Sequence, residues 1–175
     1  KNVLGLWILQ QCRATWQKAG QTYSYPDLVG MARQAPPLRS LVNINDLVFL
    51  PPGDHPRLIC EYCERTGQPV PKNHGEIVRT VLESLAMAYR QTLEALIDVS
   101  GQEVDVIHIV GGGSQNELLN QMTADATGRP VIAGPVEATV IGNALVQWIS
   151  LGELGNLDEA RQMVVQMGEL VRYNP

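Results

Sequence analysis

Apolar residues recur every three or four positions along most of the chain, which is the spacing of an amphipathic helix. The longest such run covers residues 76–99 and places these side chains on one face: Val78, Val81, Leu82, Leu85, Tyr89, Leu93, Leu96 and Ile97. Shorter helical patterns cover residues 3–18, 24–35, 57–66, 138–151 and a last segment that begins at Asn156. Residues 38–56, which contain "FLPPGDHP", predict an irregular connection. The pattern as a whole predicts a helix-rich domain.

The pattern changes at residue 104, where the segment "VDVIHIV" begins. This segment is β-branched and nearly all apolar, so it predicts a strand buried on both faces, with His108 as a core histidine. "RPVIAG", residues 129–134, predicts a second short strand. A helical pattern follows each of the two strands, and this order predicts a parallel pair covered by helices.

Three consecutive glycines, Gly111, Gly112 and Gly113, follow the first predicted strand. Ser114 and Glu117 then match the capping box of a helix that ends at Gly128, with Leu118, Leu119, Met122 and Ala126 on its apolar face. No Lys follows the glycines, which excludes a P-loop, and the third glycine of a dinucleotide fingerprint is missing. Residues without a Cβ allow a ligand to approach the backbone at this edge of a parallel sheet, where Asn116 could add an amide. A close packing corner between helix and strand explains the glycines equally well.

A further glycine, Gly142, lies inside the helical pattern of residues 138–151, where glycine costs about 1 kcal/mol relative to alanine. Ile141, Leu145, Trp148 and Ile149 form the apolar stripe of that helix, and Glu137 and Thr139 lie at its start. Close approach of another group at Gly142 would explain the glycine. That group is either a ligand in a cleft formed by the two strand ends or a neighbouring helix.

Composition excludes several classes of function. The net charge of −5 and the lack of basic runs argue against nucleic-acid binding, and no apolar run reaches the roughly 18 residues that cross a membrane. Cys60 and Cys63 form a C-x-x-C motif without a second ligand pair, so with Cys12 they are interpreted as reduced structural thiols of a cytoplasmic protein. The apolar start without Met predicts that the chain is part of a longer protein.

No catalytic constellation is visible in the sequence. His55, His74 and His108 are scattered, and neither paired carboxylates nor a G-x-S-x-G or H-E-x-x-H motif is present. No catalytic residue and no metal ligand are therefore assigned. The residues alone predict half of a ligand cleft.

The stretch "HIVGGGSQNELLNQMTADATGRPVIAGPVEATVIGNAL" resembles the C-terminal domain of the FGGY family of carbohydrate kinases, and within it the L-rhamnulose kinases. "KNVLGLWILQQCR", "DLVFLPPGDHP", "CERTGQPVP" and "GEIVRTVLESLAMAYR" extend the resemblance over nearly the whole chain. The resemblance implies an α/β fold of the actin-like ATPase and ribonuclease H-like type, of which residues 1–175 would be an incomplete, helix-rich C-terminal part. The N-terminal domain of the two-domain enzyme would be absent from this chain.

The resemblance also implies an activity, which is transfer of the ATP γ-phosphate to the 1-hydroxyl of L-rhamnulose with Mg²⁺. Gly112 and Asn116 would contact the adenosine end of ATP, and Gly111 and Gly113 would shape the turn. Gln10 would be a further nucleotide contact. The general base would lie in the absent N-terminal domain, so this chain by itself is expected to be inactive.

One substrate contact is also implied, since Asn2 would face the sugar. Two other functions stay open at this point. One is a kinase for another ketose or polyol, because the residues that read the sugar lie mostly in the absent domain. The other is a non-enzymatic domain of the same fold that senses ATP. A helical scaffold whose glycines form only a packing corner is the third possibility.

Overall fold

The computed structural model describes residues 5–168 and 170–175. The chain divides into two compact units, one that ends at Glu103 and one that begins at Val104. The first unit is helical, and its elements are α1 (Trp7–Lys18), α2 (Tyr25–Gln34), a 3₁₀ helix (Leu47–Phe49), α3 (His55–Arg65) and α4 (His74–Ser100). These helices and the irregular connection after α2 agree with the predicted pattern, although residues 3 and 4 of the first predicted helix lie outside the described part.

Side-chain caps fix where the helices of the first unit begin. Ser24 and Asp27 form a reciprocal capping box at α2, with Asp27 N donating to Ser24 Oγ at 3.2 Å and Ser24 N to Asp27 Oδ2 at 2.8 Å. Asn73 caps α4 by accepting a hydrogen bond from Glu76 N at 3.0 Å. Gly101, at φ +65°, ends α4 in the left-handed conformation that glycine adopts without strain.

The first half of α4 is the centre of the first core. Val78, Val81, Leu82 and Leu85 are fully buried, as the spacing predicted. The last turns differ, because Leu96 keeps 56% of its side-chain surface exposed in the described structure. The predicted apolar face of α4 is therefore covered over its first half.

Helix α2 packs closely against the start of α4, and Gly75 makes this contact possible. A Cβ on Gly75 would lie 2.6 Å from the backbone oxygen of Met31, which is closer than real Cβ contacts. Nothing in the local sequence pattern pointed to this glycine, since the contact joins residues that are distant along the chain. Gly75 therefore sets the distance between the two helices.

The second unit contains a three-stranded sheet. Its elements are β1 (Ile107–Ile109), a 3₁₀ helix (Gly112–Gln115), α5 (Glu117–Thr127), β2 (Val131–Ala133), α6 (Ala138–Leu151), α7 (Leu157–Gln166) and β3 (Val171–Tyr173). Strands β1 and β2 are parallel, with Ile107 opposite Val131, which confirms the predicted pair. Strand β3 lies antiparallel to β2 and was not predicted, because three residues are too few for a periodic signal.

The prediction that the first strand is buried on both faces is wrong. Strand β1 has only three residues, and His108 between two half-buried isoleucines is exposed rather than a core histidine. β1 is an edge strand of this sheet, and α5 packs on β2 and β3 instead. An apolar, β-branched run is compatible with cover on one face as well as on two, so the sequence could not separate these cases.

The buried face of α5 also differs from the predicted one. Leu119, Asn120, Thr123 and Ala124 are buried, whereas Leu118, Met122 and Ala126 are only half-buried. Two of the buried residues are polar, and each has a hydrogen bond: Asn120 Nδ2 donates to Ser114 O at 2.8 Å and Thr123 Oγ1 to Leu119 O at 2.7 Å. Because these bonds reduce the cost of burial, the helix is rotated relative to its apolar stripe.

Helices α6 and α7 share a small apolar core of Leu145, Leu154 and Ala160, against which Ile141 and Ile149 pack. Trp148, predicted to belong to the same stripe, is 45% exposed and lies outside this core. Asn156 caps α7 as predicted, accepting from Asp158 N and Glu159 N at 2.9 and 3.0 Å. None of the helices among the described residues has the length and apolarity that a membrane crossing requires.

Candidate functional site

The glycine turn, defined as residues 110–116, connects β1 to α5. Gly111 has φ +76° and ψ −166°, a backbone conformation that is almost confined to glycine. Gly112 and Gly113 begin the 3₁₀ helix without a positive φ, and a Cβ on either would meet no atom within 4 Å. Backbone strain therefore requires glycine at position 111, while neither strain nor crowding among the described residues requires it at 112 or 113.

Hydrogen bonds between residues close in sequence fix the shape of the turn. Gly111 O accepts from Ser114 N at 3.0 Å and from Ser114 Oγ at 2.7 Å, and Gly113 O accepts from Asn116 N at 3.1 Å. The amide groups of Gly112 and Gly113 donate to no acceptor within the described parts of the chain. Gly112 is exposed and Gly113 half-buried.

The turn lies beside the end of the second strand. Gly111 N donates to Pro135 O at 3.1 Å, and Gly134 N donates to Ile109 O at 2.8 Å. The carboxyl ends of β1 and β2 thus meet at one edge of the sheet, as expected for parallel neighbours. In open α/β sheets this is the edge where ligands bind. Gly134 and Pro135, directly after β2, supply the donor and the acceptor of these two hydrogen bonds.

Asn116, and not Ser114, is the N-cap of α5. Asn116 Oδ1 accepts from Leu119 N at 3.0 Å, and the Ser114 hydroxyl instead binds back to Gly111 O. The predicted capping box fails because residues 112–115 form a separate 3₁₀ helix, which moves the start of α5 to Glu117. Asn116 retains only 9% exposure, and its cap occupies Oδ1, which leaves Nδ2 as the side-chain donor for a ligand.

Gln10 lies in the first unit, on the exposed side of α1. The structure thus places it in a different unit from the glycine turn. Its neighbour Gln11 is used structurally, since Gln11 Oε1 accepts from Gly53 N at 3.3 Å. Asn2, predicted to face the sugar, lies outside the described residues.

Glu137 and Thr139, at the start of α6, are exposed close to the end of β2. A Cβ on Gly142 would meet no atom within 4 Å, so the described residues contain no neighbouring helix that needs a glycine there. The interpretation of Gly142 as a helix–helix contact is wrong for this part of the chain.

The two histidines of the first unit have structural partners. His55 is fully buried, with Nδ1 3.2 Å from Gly53 O and Nε2 3.0 Å from Phe49 O. His74 stacks on Trp16 with ring centroids 4.2 Å apart, and its Nδ1 lies 3.2 Å from the Tyr23 hydroxyl. Burial lowers the pKa of His74, which favours the neutral ring. These contacts hold the fold together and leave neither ring nitrogen of His55 directed at a ligand.

The cysteines have the properties of structural thiols. Burial is the largest cause that raises the pKa of Cys12, Cys60 and Cys63. A raised pKa keeps a thiol protonated at neutral pH, and the protonated form is a poor nucleophile and metal ligand. Cys60 Sγ lies 3.8 Å from Pro71 O, within the range of a weak S–H hydrogen bond.

Comparisons with known proteins identify the family and the fold of this chain. Residues 1–151 match the family model of the FGGY family of carbohydrate kinases, C-terminal domain. A rhamnulokinase of Bacteroides thetaiotaomicron is 47% identical over all 175 residues, and one of Halalkalibacterium halodurans is 38% identical over 173 residues. The chain spans about a third of the length of these curated relatives, 35% and 36% respectively.

A solved structure of xylulose kinase from Rhodospirillum rubrum superposes with a TM-score of 0.57 at 20% identity, over 88% of this chain and 30% of that one. At that identity the likeness shows the fold alone, and it confirms the expected actin-like ATPase fold class in a helix-rich form with a small sheet. Because the family model covers most of the chain, including both strand ends and the glycine turn between them, the chain belongs to the FGGY family of carbohydrate kinases as part of the C-terminal domain of that family.

Proposed function

We propose that residues 1–175 are the C-terminal, nucleotide-binding part of a two-domain kinase that transfers the γ-phosphate of ATP to the 1-hydroxyl of L-rhamnulose. The observation on which this proposal depends is the identity of 47% and 38% to two proteins named rhamnulokinase, over 100% and 99% of this chain. The N-terminal domain, which supplies the general base and most sugar contacts in this proposal, would account for the remaining length of those relatives.

The glycine turn is the proposed wall for the adenosine end of ATP. Gly112 and Gly113 are glycines that neither φ nor packing of the described residues explains, and a flat ligand lying against the backbone would explain both. Their two N–H groups make no hydrogen bond among the described residues, and we propose that they donate to acceptor atoms of adenine or ribose. The packing-corner alternative predicts crowded Cβ positions, which these are not.

Asn116 adds its amide to the same wall. Its Oδ1 caps α5, so the amide plane is held in place, and Nδ2 is the atom proposed to donate to the nucleoside. Gly111 shapes the turn through its left-handed φ, and Gln10 on α1 is proposed as a further nucleotide contact. Asn2 is proposed to face the sugar.

The contribution of this chain to catalysis is positional. Transfer of a phosphoryl group requires in-line placement of acceptor and γ-phosphate, and the adenosine wall would fix one end of the nucleotide for that purpose. Closure over both substrates excludes water that would otherwise hydrolyse ATP. Mg²⁺ supplies charge neutralisation at the phosphates in such reactions. The described residues contain no group of three or more His, Cys, Asp or Glu side chains that could hold a metal, so we assign no metal ligand to this chain.

A coupled ADP-release assay on the full-length protein, with ATP and Mg²⁺, tests this function. L-rhamnulose, xylulose and glycerol are compared as acceptors at matched concentrations. We expect kcat/KM for L-rhamnulose to exceed that for the other two by at least about a hundredfold, a ratio that polar contacts to substrate hydroxyls can supply.

Each other outcome has a defined meaning. Preference for xylulose or glycerol would retain the sugar kinase and reject L-rhamnulose as its substrate. Binding of ATP without turnover of any acceptor would reject the kinase in favour of a domain that senses ATP.

A further inference from the structure

Asn120 is a fully buried polar residue in the middle of α5 that the proposed site does not include. Its backbone N–H donates to Asn116 O at 3.0 Å, as in any helix, so the helix forms without any contribution from the Asn120 side chain. The side chain runs back toward the glycine turn, and Nδ2 donates to Ser114 O at 2.8 Å. Ser114 belongs to the 3₁₀ helix, so this bond joins the side chain of a residue in α5 to the middle of the turn.

The other end of the same amide has no partner. Asn120 Oδ1 is buried and makes no hydrogen bond among the described residues. Rotating the amide by 180° would place Oδ1 against the Ser114 carbonyl, where two acceptors would face each other, so the orientation is fixed. An apolar residue of the same size would avoid the unpaired oxygen, and a buried asparagine with one unpaired end is a cost to stability. Fold stability therefore does not explain the choice of asparagine.

The turn itself needs such an anchor. Three successive glycines lose more backbone freedom on ordering than other residues do, and a 3₁₀ helix has weaker hydrogen-bond geometry than an α-helix. The bonds donated by Ser114 and Asn116 connect residues within the turn, whereas Gly111 N at its start donates to Pro135 O and Asn116 at its end caps α5. Asn116 is also bonded to α5, but it lies after the 3₁₀ helix, and the bond from Asn120 is the one recorded from the α5 side chains to residues 112–115 among the described residues. We expect this bond to hold the Gly112 and Gly113 N–H groups in place.

We propose that Asn120 is a positioning residue, whose buried amide holds the glycine turn in the conformation that binds the nucleotide. This inference rests on the proposed nucleotide site, and Asn120 acts on the ligand only through the turn. The proposal explains why a buried position on α5 has an asparagine with one unpaired atom.

The test compares Asn120→Leu with the wild type in the full-length protein. Leucine has a similar volume and removes the unpaired Oδ1, but it also leaves the Ser114 carbonyl without its donor. We therefore expect the midpoint of thermal unfolding to change by less than about 4 °C. We expect KM for ATP to rise about tenfold, with kcat changed less than about threefold and KM for the sugar unchanged. Unchanged KM for ATP would overturn the proposal, as would a large fall in the unfolding midpoint with a parallel loss in both KM values and kcat.

Thr123→Val is the matched control. Thr123 is 1% exposed on the same face of α5, one turn further from the glycines, and its hydroxyl donates within the helix to Leu119 O at 2.7 Å. This variant also replaces a buried polar group by an apolar one of similar size, and it leaves the bond to Ser114 in place. We expect both KM values to stay at their wild-type levels.

Hydrogen exchange without nucleotide separates this inference from the proposed function. In Asn120→Leu, the hydrogen-bonded amides of Gly111, Ser114 and Asn116 should exchange at least about fivefold faster than in the wild type, while amides of α7 do not change. Unchanged exchange in the turn would overturn the role of Asn120 even if the protein is a kinase. Faster exchange with unchanged KM for ATP would keep Asn120 as an anchor of the turn and reject the turn as the nucleotide site.

Discussion

At the scale of single residues, three adjacent glycines have different reasons to be glycine. Gly111 has a positive φ that other residues adopt only with strain, whereas Gly112 has an ordinary backbone and open space at its Cβ position. The three residues are identical in the sequence, and their backbone conformations show that they have different roles. This difference makes the two positions a matched pair for mutagenesis.

Gly112→Ala should weaken nucleotide binding without loss of stability. A methyl group on the open side of the turn would stand where the adenosine is proposed to approach, so we expect KM for ATP to rise about tenfold, or about 1.4 kcal/mol. The thermal midpoint should change little, because no atom lies within 4 Å of the new Cβ. Steady-state kinetics and thermal unfolding of the full-length protein measure the two effects.

Gly111→Ala is the control for that variant. It forces alanine into a conformation with φ +76°, which costs about 1–3 kcal/mol, so the thermal midpoint should fall. If Gly112→Ala lowers the midpoint and leaves KM for ATP unchanged, the turn is a packing corner and the nucleotide site lies elsewhere.

At the scale of secondary-structure elements, two helical glycines have opposite surroundings. Gly75, in the first turn of α4, is pressed against the backbone of α2, whereas Gly142, in the middle of α6, has no neighbour within 4 Å. The local sequence marked Gly142 as unusual, and it gave no sign that Gly75 lies in a close contact between helices. The packing between helices therefore decides what a methyl group does at each position.

Gly75→Ala should destabilise the protein by about 2 kcal/mol or more, because its Cβ would lie 2.6 Å from Met31 O and the two helices must separate. Gly142→Ala, which removes only the conformational freedom of a mid-helix glycine, should stabilise α6 by about 1 kcal/mol. Thermal unfolding of the two variants side by side measures this contrast. Equal effects of both substitutions would show that the described packing of α2 on α4 is wrong.

At the scale of the whole molecule, the chain is expected to bind a nucleotide without turning it over. In-line transfer needs the acceptor, the γ-phosphate and a general base to be held together, and we propose that the base lies in the N-terminal domain. The 175-residue chain, incubated with ATP, Mg²⁺ and L-rhamnulose, should release ADP no faster than a buffer blank. Circular dichroism that shows the expected helices is the control that the chain is folded.

A rate of ADP release above that blank, dependent on L-rhamnulose, would contradict the proposal that the general base lies in the N-terminal domain. The same assay on the full-length protein supplies the positive control. Turnover by the full-length protein alone would support a kinase in which this chain serves only for binding and positioning.

The sequence by itself determined the features that depend on neighbours along the chain. Helical spacing located all seven α-helices of the described residues to within a few positions, and Asn156 and Gly128 were recognised as helix ends. The glycine turn and the parallel pair of strands were also predicted, since a run of β-branched residues and a following turn are local signals. The family was also recognised from the sequence, because the motifs that characterise it are contiguous stretches of residues.

The tertiary structure alone decided the features that join distant residues. It exposed His108 on an edge strand and added β3, whose three residues are held in place by pairing with β2. The cap of α5, which is Asn116 and not Ser114, is a local feature that the sequence pattern nevertheless misplaced. The tertiary structure also buried Asn120, whose side chain donates a hydrogen bond to the Ser114 carbonyl, outside α5. Periodicity reports which residues are apolar, whereas burial depends on what packs against them and on whether each buried polar atom finds a partner.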